Sequence, residues 1–94
     1  MRIVAVCGVG IGTSAILKVN AERALARLGL TADVSASDLA SVADAAADAQ
    51  VILTSTELAA AVREAIGRSF AEIIEVQNYF DVDEIGSKLE ESLG

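Results

Sequence analysis

The sequence predicts an α/β protein with a Rossmann-like, four-stranded parallel sheet flanked by helices on both faces. Short apolar runs alternate with stretches of helical period along the chain. The strongest runs are continuous rather than alternating, as expected of strands buried on both faces. Strands that alternate with helices pair in parallel through right-handed crossovers, which cover the sheet on both sides. At 94 residues the chain fits a single domain spanning 1–94, and a hydrophobic content of 53% supplies a core. Aromatic residues make up only 3%, so that core is built from Val, Ile, Leu and Ala.

Each element has its own justification. Ile3 to Val6 is apolar throughout and reads as the first strand. Thr13 or Ser14 then caps a helix reaching about Leu28, with Leu17, Ala21, Ala24, Leu25 and Leu28 at three- and four-residue steps. Gly29 ends it. Thr31 to Ala36 is a weaker second strand. Ser37 to Asp48, rich in Ala and Asp, carries Leu39, Val42 and Ala46 at helical steps and predicts a short helix or helical turn. Val51 to Thr54 is the third strand. Thr54 and Glu57 have the spacing of a capping box, and a helix follows with Leu58, Ala61, Val62, Ala65 and Ile66 on one face and Gly67 as its stop. Glu72 to Val76 is the fourth strand. Asp81 and Glu84 open a last helix that turns Val82, Ile85 and Leu89 inward.

Composition excludes several chemistries. There is no histidine, so no Ser-His-Asp triad and no Cys-His dyad can form within the chain. One cysteine without histidine gives no zinc site of the usual kind, and neither a metal nor another cofactor is expected. A net charge of −7 argues against nucleic acid and against anionic membrane surfaces. It suits solubility, and it suits a partner with a positive patch. A lone cysteine allows no internal disulfide. The N-terminal run is broken by Gly8 and is not a signal peptide. No apolar stretch approaches the roughly 20 residues of a membrane span. The expectation is a reduced, soluble, cytoplasmic domain without membrane insertion.

The chemistry concentrates in Cys7-Gly8-Val9-Gly10-Ile11-Gly12-Thr13-Ser14, between the first strand and the first helix. Backbone N–H groups of such a loop and of a helix start converge on an anion. The same field favours thiolate over thiol. Cys7 is therefore the candidate nucleophile. Gly8, Gly10 and Gly12 would let the backbone approach a phosphate, Val9 and Ile11 would lend N–H groups, and Thr13 and Ser14 would add hydroxyls.

Three loop chemistries compete. A dinucleotide fingerprint from Gly8 needs Gly or Ala where Thr13 stands, and no clear carboxylate ends the second strand. An NTPase loop needs a lysine after its second glycine, and none follows. A cysteine phosphatase loop places an arginine six residues after the cysteine, again at Thr13. Without that bidentate clamp on the transferring phosphoryl group, hydrolysis is expected to be slow. The site suits accepting and passing on phosphate better than destroying it. A small phosphatase and a non-catalytic, phosphate-loop partner-binding module are the alternatives. Elsewhere, Thr54-Ser55-Thr56 is expected to act as a helix cap, Asn78 as a turn residue, and Tyr79 and Phe80 as core packing. In a parallel sheet, the Cys7 loop, the Thr54–Thr56 turn and Gln77-Asn78 should gather on one edge.

Cys-Gly-x-Gly-x-Gly-Thr-Ser after an Ile-Val-Ala-Val strand resembles the IIB components of bacterial phosphoenolpyruvate-dependent sugar phosphotransferase systems, in their ascorbate- and galactitol-type branch. The resemblance takes in the loop, Lys18, the Val-Ile-Leu-Thr-Ser strand end and Val76-x-Asn78. It implies a phosphocysteine carrier. Cys7 would take phosphate from a phosphohistidine on a IIA partner and pass it to a sugar held by the membrane IIC transporter, with residues 8–14 as the phosphate loop. The missing histidine fits, since the donor histidine lies on the partner.

Overall fold

Four five-residue strands and four helices alternate: β1 (Arg2–Val6), α1 (Ile11–Leu28), β2 (Asp33–Ser37), α2 (Val42–Ala45), β3 (Val51–Ser55), α3 (Ala59–Ile66), β4 (Glu72–Val76) and α4 (Val82–Leu93). The computed structural model describes residues 1–7, 11–67 and 71–93, leaving aside the side chains of 11–14 and 93. The strands form one parallel sheet in the order β2-β1-β3-β4. Ile3 of β1 faces Val34 on one side and Val51 on the other, and Leu53 of β3 faces Ile74 of β4.

Strand periodicity divides the core into two layers. Ile3, Ala5, Val51, Leu53, Ile74 and Val76 point to one face. There they pack with Leu17, Ala21, Ala24 and Leu25 of α1 and Ile85 and Leu89 of α4. Val4, Val6 and Ile52 point to the other face and meet Val42 and Ala46 around α2 and Val62 of α3. The central strands β1 and β3 are therefore covered on both sides, which is why their sequences read as unbroken apolar runs.

Helix α1 ends as its sequence predicts. Gly29 takes φ of +71°, its N–H donates to the Ala26 carbonyl, and Leu30 N–H donates to the Leu25 carbonyl at 2.9 Å. This is a Schellman ending, where a side chain would be disfavoured by the left-handed backbone. Gly86 is different. It lies inside α4 with no positive φ, and a Cβ built there would sit 3.6 Å from Ala24 Cβ, an ordinary contact. Since glycine is the poorer helix former, Gly86→Ala is expected to stabilise the fold by about 0.5–1 kcal/mol. A rise in the urea midpoint at constant slope would show it; a fall would mean that α1 and α4 cannot accommodate the methyl group.

Four expectations at element boundaries need correction. α1 begins at Ile11, so Thr13 and Ser14 lie within its first turn and do not cap it. The second strand runs Asp33–Ser37 rather than Thr31–Ala36. As an edge strand it buries only Val34 and Ser37, so its apolar signal is weak. The helix expected over Ser37–Asp48 shrinks to Val42–Ala45. Asp38 Oδ1 accepts the Ser41 N–H at 2.8 Å, and such local side-chain bonding competes with helix. Finally, Thr54 and Glu57 form no capping box. Thr54 is a fully buried β3 residue whose hydroxyl finds no partner among the described residues, and Ser55 Oγ instead accepts the Leu58 N–H at 3.2 Å.

Candidate active site

From β1 the chain crosses first to β2 on one flank and later to β3 on the other. Connections leaving β1 and β3 at their carboxyl ends therefore run to opposite faces of the sheet. That divergence opens a crevice in open α/β sheets. Cys7 follows β1 there, and Ser55 ends β3. Tyr79 follows β4, three residues beyond its end.

Cys7 is a free thiol, 2% exposed, and its N–H donates to the Ser37 carbonyl at 3.4 Å. Gly8, Val9 and Gly10 of the expected phosphate loop lie outside the described residues. Ile11, Gly12, Thr13 and Ser14 form the first turn of α1. The opening N–H groups of any helix lack intrahelical acceptors. This turn carries no acidic side chain to compete for them, which favours an anion there. Lys18, one turn onward, pairs with Glu22 at 3.4 Å along the helix.

Tyr79 takes the core-packing role that the sequence predicts. Its ring packs against the core layer under α1 and α4. Its hydroxyl lies in the neighbourhood of the Ser55 and Cys7 side chains. Burial pushes the phenol above its ordinary value, Ser55 works against that rise, and the neighbouring Cys7 adds to it. The backbone of Tyr79 is held as well. Its carbonyl accepts a 2.6 Å hydrogen bond from Nδ2 of Asn20, a 7% exposed α1 residue. The β4–α4 turn thus brings Tyr79 towards the end of β3 and the residue that follows β1. Phe80 departs from the core-packing expectation: it is 71% exposed, because the turn that directs Tyr79 inward directs its neighbour outward. The signal available in sequence was position, since Gln77 to Phe80 follow a strand at the functional edge.

The β4–α4 turn is fixed by its own polar groups. Asn78 Oδ1 accepts the Phe80 N–H at 3.0 Å, as a turn asparagine does. Asp81 caps α4 by accepting the Glu84 N–H at 3.0 Å. The Glu84 carboxylate accepts the N–H groups of Gln77 and Asn78 at 2.9 and 3.0 Å and pairs with Lys88 at 2.9 Å. Burial alone would raise its pKa, but these donors outweigh it and hold the carboxyl below the ordinary 4.5. Glu84→Gln is therefore expected to cost about 1–2 kcal/mol at neutral pH. A carboxyl with a depressed folded-state pKa stabilises fully above its unfolded value and loses that contribution as pH falls through the folded one. The gap between parent and variant should thus be full above about pH 5 and close on acidification. Urea titrations at a series of pH values check it; a gap that stays constant into acid would rule the charge out as its source.

No helix among the described residues is long and apolar enough to cross a membrane. Among the same residues no group of three His, Cys, Asp or Glu side chains is placed to hold a metal.

With this geometry in view, the likenesses to known proteins are consistent with one another. The family model described as PTS system, Lactose/Cellobiose specific IIB subunit matches residues 2–91. The Ascorbate-specific PTS system EIIB component of Mycoplasma pneumoniae is 32% identical over 93 residues, covering 99% of this chain and 95% of that protein. Among solved structures, the lactose-specific IIB component domain of the Streptococcus pneumoniae phosphotransferase system superposes with a TM-score of 0.64 at 14% identity, covering 99% and 94% of the two chains. A low molecular weight protein tyrosine phosphatase from Bacillus subtilis gives 0.61 at 14% identity, covering 97% and 89%. At such identity these two likenesses establish the fold alone.

Proposed function

The chain belongs to the PTS lactose/cellobiose-specific IIB subunit family and is a phosphoryl carrier of a sugar phosphotransferase system, and from that premise we propose that Cys7 is the residue that carries the phosphoryl group. Proteins of this family work with IIA and IIC partners. In our reading Cys7 accepts phosphate from a phosphohistidine of IIA and passes it to a sugar bound by the membrane IIC component. The observation that carries this is the thiol's position. It sits at the end of β1 where the sheet order reverses, with only residues 8–10 between it and the opening turn of α1.

The chemistry follows from that position. The sulfur attacks phosphorus as thiolate, the P–N bond of the donor breaks and a P–S bond forms. The transferred group's charge is met by N–H groups of residues 8–14 and by the hydroxyls of Thr13 and Ser14. In the second transfer a sugar hydroxyl oxygen attacks, its proton passes to a base on the acceptor side, the P–S bond breaks, and the electron pair stays on sulfur. The chain has no histidine, so the donor imidazole must come from the partner. The M. pneumoniae relative suggests ascorbate or a related sugar acid as the acceptor. The whole chain, 1–94, would act as one such unit in the cytoplasm.

Intact mass spectrometry tests the reading. After incubation with phosphoenolpyruvate, the general phosphotransferase proteins and the cognate IIA, the chain should gain one phosphoryl group, mapped by fragmentation to Cys7. A group on any other residue, or no adduct, overturns it. The tyrosine-phosphatase likeness names the competing outcome, steady hydrolysis of p-nitrophenyl phosphate. Thr13 at the clamp arginine's position argues against that outcome.

A further inference from the structure

We propose that an exposed apolar patch, formed by Ile16 and Val19 of α1 and Phe80 of the β4–α4 turn, docks this chain on the Lys- and Arg-rich cytoplasmic face of its membrane IIC partner. The proposal rests on the reading that the chain serves such a partner, and adds to it a surface outside the phosphate loop.

Three of the five large apolar side chains exposed among the described residues gather at one place. Ile16, Val19 and Phe80 are 37, 44 and 71% exposed. Their placement follows from the bonds around them. Asn20 Nδ2 donates to the Tyr79 carbonyl at 2.6 Å, and Arg27 pairs with Asp83 at 2.8 Å. Asn20 and Arg27 are two turns apart, so they share one stripe of α1, and that stripe borders the β4–α4 turn. Ile16 continues the stripe one turn towards the helix start, and Val19 lies beside it. Phe80 is the outward neighbour of Tyr79. The other two exposed apolar residues, Met1 and Leu30, precede β1 and β2 at the opposite end of the sheet. Apolar residues scattered singly on a surface need no explanation, but a cluster marks an interaction site.

Transfer requires a partner to cover this region. Cys7 is almost completely buried, and a reacting atom must come within about 3–3.5 Å of its sulfur. A partner seated there with the usual footprint of about 800 Å², some 16 Å in radius, extends onto the start of α1. Ile16 lies about 7.5 Å along the helix from Ile11, well inside that reach.

Charge selects the partner. Asp38, Glu57 and Asp81 follow β2, β3 and β4 at the same end of the sheet, and all three are exposed. Residues 38–41, 56–58 and 77–81 include no Lys or Arg. The rim is therefore acidic, on a chain of net charge −7. Of the two partners, the membrane component has a facing charge set by a general rule, since cytoplasmic loops of membrane proteins carry an excess of Lys and Arg. An acidic rim complements those loops, while anionic lipid repels it. The chain is thus drawn to the transporter and not to the bilayer around it. Phe80 has the character of an interface anchor, an exposed ring within a charged rim.

Inverted membrane vesicles from cells overproducing the cognate IIC present its cytoplasmic face and test this. The unphosphorylated chain should sediment with them at low ionic strength, and not with inverted vesicles that lack IIC. Phe80→Ser should weaken this binding at least about tenfold, and Glu57→Lys at least about threefold, both with unchanged thermal melts. Position 80 is exposed enough that serine there leaves the core intact. Parent binding that is absent, or equal with and without IIC, overturns the proposal. So does either variant binding as the parent does. Loading from phosphorylated IIA is compared in Phe80→Ser; a larger loss there than in vesicle binding gives the patch to IIA and overturns the assignment. A parent dimer that Phe80→Ser dissociates, seen by sedimentation velocity, gives the patch to a second copy and does the same. The vesicle assay needs no phosphate on Cys7. Unloaded Cys7 with intact vesicle binding sinks the carrier role of that residue alone, and loaded Cys7 without vesicle binding sinks the docking surface alone.

Discussion

Cys7→Ser abolishes phosphoryl uptake: after the same incubation with phosphoenolpyruvate and the phosphotransferase proteins, the variant keeps its unmodified mass while the parent gains one group. The change replaces one atom at a 2% exposed position, so the fold should survive. What disappears is the nucleophile. A serine hydroxyl ionises far less readily than a thiol, and the chain has no histidine to act as its base. The usual route to an activated serine is therefore closed within this protein. Loss should exceed about a thousandfold in rate, equivalent to more than about 4 kcal/mol of transition-state stabilisation. A variant that still loads phosphate, with a melt like the parent's, would move the acceptor to another residue.

Leu53→Ala should be the most damaging single truncation in the sheet. Leu53 is 0% exposed, lies on central β3 between Ala5 and Ile74, and faces the layer formed by α1 and α4. Neighbours on a central strand cannot collapse into the space without breaking register, so most of the cavity remains. Buried leucine truncations of this kind cost about 2–5 kcal/mol. Against a total stability on the order of 5–15 kcal/mol, that is a large fraction. Thermal denaturation followed by circular dichroism should show a midpoint lowered by about 10 °C or more. A shift of only a degree or two would mean that the layer repacks as a liquid core would.

Much of the fold is written in local pattern. β1 and β3 announce themselves because both faces of each are covered, and Leu17, Ala21, Ala24 and Leu25 mark the buried stripe of α1 at its proper period. Legibility fails where a segment sits at an edge or where a polar side chain competes with the backbone. β2 is an edge strand with two buried residues, and the Asp38 turn shortens α2 to four residues. The site divides in the same way. Cys7 and its glycines are contiguous, so their chemistry can be read from spacing. Tyr79 comes into the neighbourhood of Cys7 through the strand order β1-β3-β4, which no local window contains. Beside Phe80 it therefore looks like ordinary core material, and only the folded chain separates the inward ring from the outward one.

The turn that seats Tyr79 has a practical consequence. With no tryptophan and a single tyrosine in the chain, all tyrosyl fluorescence originates from one ring, whose hydroxyl lies in the neighbourhood of Cys7. The protein thus carries a native optical label near its candidate nucleophile. Partner proteins built without tyrosine and tryptophan would leave that signal unobscured, so events at sulfur could be followed in real time without attaching a dye.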